Sequence, residues 1–461
     1  MTFKTATESG MMSEVKILTP LGMLGYGLNV PDFWKGVALK PDVITVDSGS
    51  TDSGPQKLGA GVMTCSREAY VKDISVLLKA CFEHRLPVHI SSAGGDGTNA
   101  HVDAFFEIVR EIAKREGYSF KVALIYADIP RDYIRGKLRE GKIRPLGPVD
   151  DLTEKEVDAA TNIVAQMGAE PFLKILKERP DIDVIIAGRA YDPVPIAATG
   201  LKAGIDPALC WHLGKIMECG AACAEPQGRN ILGILKEDCF EVEPIAQGER
   251  CTVTSVAAHT LYEKSNPLYL HGPGGMLDLS ECTYEQITDR RVRVRGSKFI
   301  PSPNYTIKLE GAKKIGFRSI FIGGTRDPIF ISQWDYVQTK VLEHVRESFP
   351  DVGRYELIYH VYGMNGVMGE LEPTTQPAHE LCIIGEVAAE TQELATAICG
   401  RMRTGTLHCP YPGKIATAGN LGHPVTPLEI PLGDVCKFNI YHIMEIENGL
   451  DLFPIRYEEV R

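Results

Sequence analysis

The chain has 461 residues, of which 44% are hydrophobic and 24% charged, and its formal net charge is −11 at pH 7. Its length exceeds what one hydrophobic core supports, so we expect two domains, and its composition is that of a folded globular protein. The acidic balance argues against nucleic acid and anionic membranes as partners, because both require a basic face.

No apolar run approaches the roughly 18 residues of a membrane span. The opening M-T-F-K-T-A-T-E-S-G-M-M-S lacks an apolar signal core, so no secretory signal is expected and we predict a cytoplasmic protein. The 12 cysteines have no regular spacing, which is typical of reduced thiols rather than of a disulfide framework.

The first predicted strand, at 15–20, runs into the glycine-rich loop L-G-M-L-G-Y-G. Its spacing, G-x-x-G-x-G, differs from the dinucleotide fingerprint G-x-G-x-x-G, so no nicotinamide cofactor is assigned. A second strand, at 41–46, runs into D-S-G-S-T-D-S-G-P. Turn formation alone explains Asp, Ser and Gly there, and the functional alternative is that Asp47 and Asp52 line a site.

After an amphipathic helix at 67–84, a third strand at 86–90 ends in S-S-A-G-G-D-G-T-N and leads into another helix. A strand, a glycine turn and a helix in this order place backbone N–H groups and a positive helix N-terminus at one edge of a sheet. We therefore predict that residues 94–99 hold an anion.

Further strands are predicted at 120–126 and 183–187, with a helix at 153–177 that Thr153 caps. The strand at 183–187 ends in G-R-A-Y-D-P, so several strands in series carry polar residues or glycine at their carboxyl ends. In open α/β sheets ligands bind at that edge. The fold expected for this part is α/β, a mostly parallel sheet with flanking helices.

Two later segments add titratable groups. In 209–224, Cys219 and Cys223 lie four residues apart, which suits small buried cysteines, and a zinc site would need further ligands nearby. In 252–270, His259 lies three residues before Tyr262; it is either an ordinary interior histidine or a general acid or base.

The order of the predicted strands and helices changes after about residue 298. A strand, a helix, two strands and a helix follow between 318 and 404, an order that resembles half of a ferredoxin-like fold. We expect a flexible N-terminal extension at 1–14, an α/β ligand-binding domain at 15–305, and a smaller ferredoxin-like α+β domain with a C-terminal tail at 306–461.

Several stretches together carry a resemblance to a known family. They are V-D-S-G-S-T-D-S-G-P (46–55), S-A-G-G-D-G-T-N (92–99), I-I-A-G-R-A-Y-D (185–192), M-E-C-G-A-A-C-A-E-P (217–226), S-N-P (265–267) with G-G-M-L-D (274–278), and Y-G-M-N-G-V-M-G (362–369). The chain resembles the acyclic terpene utilisation AtuA-like family. The resemblance implies breakdown of branched terpenoid or carboxylic acids, often as acyl-CoA esters, and a small ferredoxin-fold domain or partner.

We therefore expect an enzyme of carboxylic-acid or acyl-CoA metabolism, a hydro-lyase (hydratase) or isomerase that uses carboxylate acid–base catalysis. The predicted catalytic residues are Asp47, Asp96, Glu218 and His259. The predicted substrate-binding residues, several of them implied by the resemblance, are Ser48, Gly94, Gly95, Gly97, Asn99, Arg189, Asp192, Glu225, Gly274, Gly275 and Asp278.

Three points stay open at this level. No cofactor is certain; Mg²⁺ or another divalent ion held by Asp47, Asp52 and Asp96 is an alternative, and CoA would enter as part of an anionic substrate. G-G-D-G-T also resembles the phosphate-binding turn of diacylglycerol-kinase-like and NAD-kinase-like enzymes, so a nucleotide-dependent kinase is a rival function. A non-catalytic or partner-dependent subunit is the other rival, and a homo-oligomer is the default assembly.

Overall fold

The structure is a computed structural model, and it describes residues 14–49, 54–262, 264, 266–415 and 417–461. Asp52 and all but the last residue of the expected N-terminal extension lie outside these residues. The described chain forms two compact units: the first runs up to Lys313 and includes Phe438–Arg461, and the second is Lys314–Lys437. Within the described residues, none of the helices has the length and apolar content needed to cross a bilayer.

Strands occur along the whole chain, and two of them, β17 and β20, continue from one unit into the other. In order they are β1 Val15–Thr19, β2 Val43–Asp47, β3 Val88–Ser91, β4 Phe120–Ile125, β5 Ile143–Pro145, β6 Asn162–Ala165, β7 Val184–Ala187, β8 Ala224–Glu225, β9 Ile231–Leu235, β10 Phe240–Pro244, β11 Arg250–Cys251, β12 Tyr269–Gly272, β13 Gly275–Asp278, β14 Thr283–Gln286, β15 Val292–Arg295, β16 Lys298–Pro301, β17 Tyr305–Thr325, β18 Tyr355–Tyr362, β19 Leu381–Ala389, β20 Ile430–Ile446 and β21 Ile455–Val460.

Helices alternate with the first strands and then become fewer. They are α1 Val30–Ala38, α2 Gln56–Ala60, α3 Arg67–His84, α4 Asn99–Glu116, α5 Arg131–Arg139, α6 Glu154–Ala159, α7 Glu170–Glu178, α8 Val194–Lys202, α9 Pro207–Met217, α10 Val253–His259, α11 Pro328–Ser332, α12 Trp334–Ser348 and α13 Gln392–His408. The predicted α/β class is confirmed at this level.

The main sheet of the first unit is mixed rather than mostly parallel. Its strand order is β14-β15-β10-β9-β1-β2-β3-β7-β4-β21. The five strands from β1 to β4 in this order pair in parallel. The flanking strands pair antiparallel, as β9 does with β1 and β21 with β4. The βα units therefore build only the centre of the sheet, and later segments extend both of its edges.

Both faces of the parallel centre are covered, which is why its strands are apolar throughout. In β7, Val184 and Ile186 face a core that includes α3 and α4. Their neighbours Ile185 and Ala187 face the opposite core, which includes α7, α8 and α9. The carboxyl ends of β2, β3 and β7 consequently lie side by side at one edge.

The prediction of one helix at 153–177 is wrong, because a strand interrupts it. Thr153 does cap a helix, since its side chain accepts from the N–H of Glu156. That helix ends at Ala159, and Asn162–Ala165 form β6, which pairs antiparallel with Leu309–Ala312 of β17. The short segment N-I-V-A fits a strand as well as a helix, and pairing with a segment far along the chain decides between them.

The second unit is built on the later part of β17, on β18 and β19, and on the earlier part of β20, in the sheet order β18-β19-β17-β20. The pairs β17–β19 and β18–β19 are antiparallel. Helices α12 and α13 pack on one face of this sheet, where Phe321, Val337, Ile383 and Ile398 belong to one buried cluster.

Candidate functional site

The first unit contains a cavity of about 300 Å³ at the carboxyl edge of its parallel strands. Its walls come from the loop after β1, the ends of β2 and β7, and the end of α9. The lining residues are Leu21, Gly22, Met23, Tyr26, Gly27, Asp47, Gly49, Arg189, Asp192, Glu218, Cys219, Arg229 and Tyr262. We refer to this space as the carboxylate cavity.

Asp47 is the last residue of β2 and is buried at the cavity wall. Ser91 Oγ, at the end of the neighbouring β3, donates to Asp47 Oδ1 at 2.7 Å. Burial raises the pKa of Asp47 well above its ordinary value, and the negative charge of Asp192 adds to this effect; Ser91 and Arg189 oppose it. Asp47 is therefore a carboxyl group that retains its proton more readily than an exposed one.

Arg189 follows β7 and connects the strand ends. Its Nε donates to Glu310 Oε2 at 2.7 Å, and its Nη1 donates to Ser92 Oγ at 3.3 Å and to Asp192 Oδ1 at 3.2 Å. Burial by itself would lower the pKa of Arg189, but Glu310 and Asp192 outweigh it and raise the pKa. Gly49 leaves room for this guanidinium, since a Cβ there would lie 3.0 Å from Nη1.

Glu310 is a site residue that sequence reasoning missed. It lies on β17 and is only 2% exposed. Burial alone would raise the pKa of Glu310, but Arg189 and then Lys308, whose Nζ lies 2.6 Å from its Oε1, lower it to about 2. Glu310 is thus a fixed negative charge that holds Arg189 in place.

Glu218 and Lys215 form a buried ion pair at the end of α9. Burial raises the pKa of Glu218 to about 7, with Lys215 opposing and Asp192 adding to the shift. Glu218 Oε2 has no hydrogen-bond partner among the described residues. A buried carboxyl that lines a cavity and has a pKa near neutrality can exchange a proton with a ligand.

His259 lies behind the wall rather than in it. Its ring stacks on that of Tyr262, with centroids 5.4 Å apart and an interplanar angle of 7°. Burial lowers the pKa of His259 to about 4, and the charge of Lys215 adds to this effect. The imidazole is therefore uncharged at neutral pH, which suits a supporting role for Tyr262 better than proton donation.

The glycine turn after β3 does not line the cavity, and residues 91–98 are all buried. Three of its N–H groups bond backbone carbonyls: Ser92 donates to Gly188 O, Gly95 to Ser92 O and Gly97 to Ala93 O. A Cβ on Gly97, whose φ is +67°, would lie 2.2 Å from the backbone nitrogen of Arg189. The turn is packed against the chain, and these three donors are already bonded within the fold.

Asp96 and Asn99 are likewise used within the fold. Asp96 Oδ1 accepts from the N–H of Thr98 at 3.0 Å and lies 2.6 Å from His101 Nδ1. Asn99 Oδ1 accepts from the N–H groups of Ala127 and Asp128, at 2.9 and 3.1 Å. These contacts tie the start of α4 to the end of β4, and they explain why polar residues occupy the turn.

The remaining predicted site residues are dispersed. Ser48 is fully buried next to Asp47. Glu225 lies on the surface and accepts from Thr252 Oγ1 at 3.1 Å. Gly274, Gly275 and Asp278 belong to the β12–β13 hairpin, where Asp278 Oδ1 accepts from Ser280 Oγ at 2.6 Å. Of the residues named from the sequence, the structure brings Asp47, Arg189, Asp192 and Glu218 together in the carboxylate cavity.

The proposed divalent-ion ligands do not form a cluster that the structure describes. Asp52 lies outside the described residues, Asp47 bonds Ser91, and Asp96 bonds its own turn. Among the described residues, no group of three or more His, Cys, Asp or Glu side chains is placed to hold a metal ion.

The loop after β1, set aside because it lacks the dinucleotide spacing, lines the cavity instead. Buried Asp73 of α3 accepts from the N–H groups of Gly25, Gly27 and Leu28 at 2.9 to 3.1 Å. Exposed Arg229 donates to the carbonyl of Gly27 from the other side. The signal available in the sequence was the group of glycines at the end of a strand. It predicts a tightly turned loop but does not indicate which ligand the loop would contact.

Comparison with known proteins identifies the family. A family model described as acyclic terpene utilisation family protein AtuA matches residues 40–426. That stretch contains Asp47, Arg189, Asp192, Glu218 and Glu310. No curated protein and no solved structure matches the chain.

Proposed function

Because the chain belongs to the acyclic terpene utilisation family AtuA, we propose that it is an enzyme of carboxylic-acid or acyl-CoA metabolism whose active site is the carboxylate cavity. The reaction we propose is loss or addition of water next to a carboxyl or thioester group, or the related shift of a double bond. All three include a proton transfer at the carbon beside that group.

One observation carries this proposal. Asp47 and Glu218, two carboxyl groups whose pKa values are raised by burial, line the same cavity as the Arg189 guanidinium. Paired titratable groups with shifted pKa values in a cavity are a common feature of acid–base active sites. A guanidinium beside them supplies a fixed cation for a carboxylate or for a developing oxyanion.

In the dehydration direction, Glu218 takes the proton from the carbon beside the carboxyl group. The electron pair left there forms the carbon–carbon double bond as the neighbouring carbon–oxygen bond breaks. Asp47 gives its proton to the departing hydroxyl, which leaves as water. Glu218 is then protonated and Asp47 ionised, and exchange with solvent restores both groups.

Other cavity residues position the substrate. Leu21 and Met23 supply an apolar wall for a branched acyl chain. About 300 Å³ lies at the lower end of the range for ligand pockets, so the cavity suits a small acid or the acyl end of a thioester. Tyr26 is 62% exposed at the mouth, where the remainder of a CoA thioester would extend outward.

The kinase alternative loses its physical support in the glycine turn. Phosphate binding at such a turn requires N–H groups directed at the ligand. Here residues 91–98 are buried and the N–H groups of Ser92, Gly95 and Gly97 bond backbone carbonyls. We therefore retain acid–base chemistry and do not propose nucleotide binding.

The experiment measures proton exchange at carbon. Wild-type protein is incubated in heavy water with branched beta-hydroxy acids and their unsaturated counterparts, free and as CoA thioesters, and deuterium incorporation is followed by NMR. We expect Glu218→Gln to lower the exchange rate by about 100-fold to 10,000-fold, because the amide cannot accept the proton.

Glu225→Gln is the matched control, since it changes the same residue type seven positions later on the surface. That variant should exchange at the wild-type rate. Exchange in Glu218→Gln at the wild-type rate, with an unchanged circular dichroism spectrum, would remove Glu218 from the proposed mechanism.

We also propose that the second unit has a ferredoxin-like fold. The order β17, α12, β18, β19, α13, β20 and the sheet order β18-β19-β17-β20 support this reading. An experimental structure of the chain tests it directly.

A further inference from the structure

The second unit carries a groove of its own, of about 510 Å³. One wall comes from the junction of α11 and α12, and the other from the long connection between β18 and β19. The lining residues are Ile331, Ser332, Trp334, Asp335, Gly363, Met364, Gly366, Val367, Glu372, Thr374, Thr375, Gln376, Pro377 and Ala378. We call it the acidic groove.

Apolar side chains project from the rim of the acidic groove into solvent. Val367 is 82% exposed, Leu371 78% and Met368 49%. Single exposed apolar residues are common on protein surfaces, but three within five positions, beside a groove, mark a contact surface. A small molecule in the groove would leave most of these side chains uncovered.

The connection is folded upon itself, so this exposure is a property of an ordered loop. The N–H of Gly366 donates to Val361 O at 2.9 Å, that of Gly369 to Asn365 O at 2.8 Å and that of Leu371 to Met368 O at 3.1 Å. A loop that is ordered before binding loses less conformational entropy when a partner docks.

The connection between β18 and β19 is acidic. Residues 363–380 contain Glu370, Glu372 and Glu380 and no Lys or Arg. The groove lining includes Asp335 and Glu372 and, within the described part of the chain, no basic side chain. A partner that fits must combine apolar contacts with positive charge.

We propose that the acidic groove docks a segment of another protein in which apolar side chains are flanked by Lys or Arg. A second copy of this chain is a poor occupant, because a two-fold contact would set the same acidic loop against itself. An anionic membrane surface is repelled by the same charge. The inference stands independently of the chemistry proposed for the carboxylate cavity.

The test uses the full chain and a pair of fluorescein-labelled peptides read by fluorescence anisotropy. One peptide places Leu at helical spacing among Lys residues, and the other replaces each Lys with Glu. We expect the basic peptide alone to bind, with an affinity that falls as salt rises. Val367→Ser combined with Leu371→Ser should weaken binding at least about tenfold. Glu370→Lys should weaken it as well.

Two matched variants distinguish docking in the groove from general attraction to an acidic protein. Ile415→Ser changes an apolar residue of the same unit that is 88% exposed. Glu347→Lys changes an exposed carboxylate on α12 whose side chain is 78% exposed. Both should bind the basic peptide within about twofold of wild type.

Several results would overturn the proposal. They are no binding of the basic peptide, equal binding of the acidic peptide, unchanged affinity in the Val367→Ser, Leu371→Ser double variant, and equal weakening by the matched variants. Wild-type self-association in light scattering, or attachment to phosphatidylserine vesicles, that the double variant abolishes would assign the groove to a second copy or to a membrane instead.

Discussion

The strand ends of the first unit look alike in sequence and differ in structure. After β3, residues 91–98 are buried and the N–H groups of Ser92, Gly95 and Gly97 bond backbone carbonyls. After β2 and β7, Asp47 and Arg189 line a cavity of about 300 Å³. Both regions combine Gly, Ser and charged residues. The first uses them to join elements of the fold, and the second leaves them beside open space.

The difference lies in what fills the space above each strand end. The turn after β3 is covered by Thr64, His101 and the backbone of Arg189, each of which a Cβ on Gly95, Gly94 or Gly97 would contact closely. Glycine here permits close approach of neighbouring side chains at Gly94 and Gly95 and of backbone at Gly97. At Gly49 the same absence of a side chain leaves room for the Ser92 side chain and for the Arg189 guanidinium at the cavity wall. Glycine-rich strand ends therefore indicate close approach, and the approaching group decides the role.

The largest expected effect in this comparison comes from Gly97→Ala. The new Cβ would lie 2.2 Å from the backbone nitrogen of Arg189, at a φ of +67°. We expect the free energy of unfolding to fall by at least about 4 kcal/mol, measured by urea denaturation. Gly117→Ala is the matched control, because φ there is +73° and nothing lies within 4 Å of the added atom.

In the control variant the free energy of unfolding should fall by about 1 kcal/mol, because only the left-handed backbone conformation disfavours the new side chain. Similar losses in both variants would mean that residue 97 is not tightly packed, and the turn could then open to a ligand.

A smaller effect is expected from Asp96→Asn, the substitution that separates the two interpretations of the turn. The carboxylate accepts from Thr98 and contacts His101, so its replacement should lower the free energy of unfolding by about 1 to 3 kcal/mol. Turnover per folded molecule should stay near the wild-type value, because Asp96 does not line the cavity.

The opposite outcome restores the expectation from the sequence. A loss of turnover by orders of magnitude with unchanged urea unfolding would place Asp96 among the catalytic residues. Urea unfolding and deuterium exchange, measured on one preparation, give the stability and the turnover of this variant.

Local elements were predictable where one amphipathic pattern decides them. The helix expected at 67–84 is α3, Arg67–His84. The polar ends of β2, β3 and β7 were expected to share a site; those of β2 and β7 line one cavity, and the turn after β3 does not. The antiparallel strands β9, β10, β14 and β15 were not anticipated, because short apolar segments carry no local signal of which sheet edge they join.

The charge partners in the site were less predictable than its strands. Glu310 lies 121 residues from Arg189 in the sequence, and their contact depends on β17 pairing with β6 in a segment expected to be helical. Lys215 is one of many lysines until α9 buries it against Glu218. Asp96 shows the converse: a carboxylate in a recognisable motif does not reveal which way it faces.

The last expected effect concerns the dependence of stability on pH, and it tests the burial of Glu218 at the cavity. Burial raises the pKa of Glu218 from its ordinary 4.5 to about 7. Between these values the folded protein binds a proton that the unfolded chain releases, so this group makes the fold less stable as pH rises from about 4.5 to about 7.

The fall in unfolding free energy over that interval should be shallower in Glu218→Gln than in wild type. Glu225→Gln, which removes a surface carboxylate, should keep the wild-type slope. An unchanged slope in Glu218→Gln would mean that its carboxyl is as well solvated as a surface group, and the proton exchange assigned to the carboxylate cavity would then lose its physical basis.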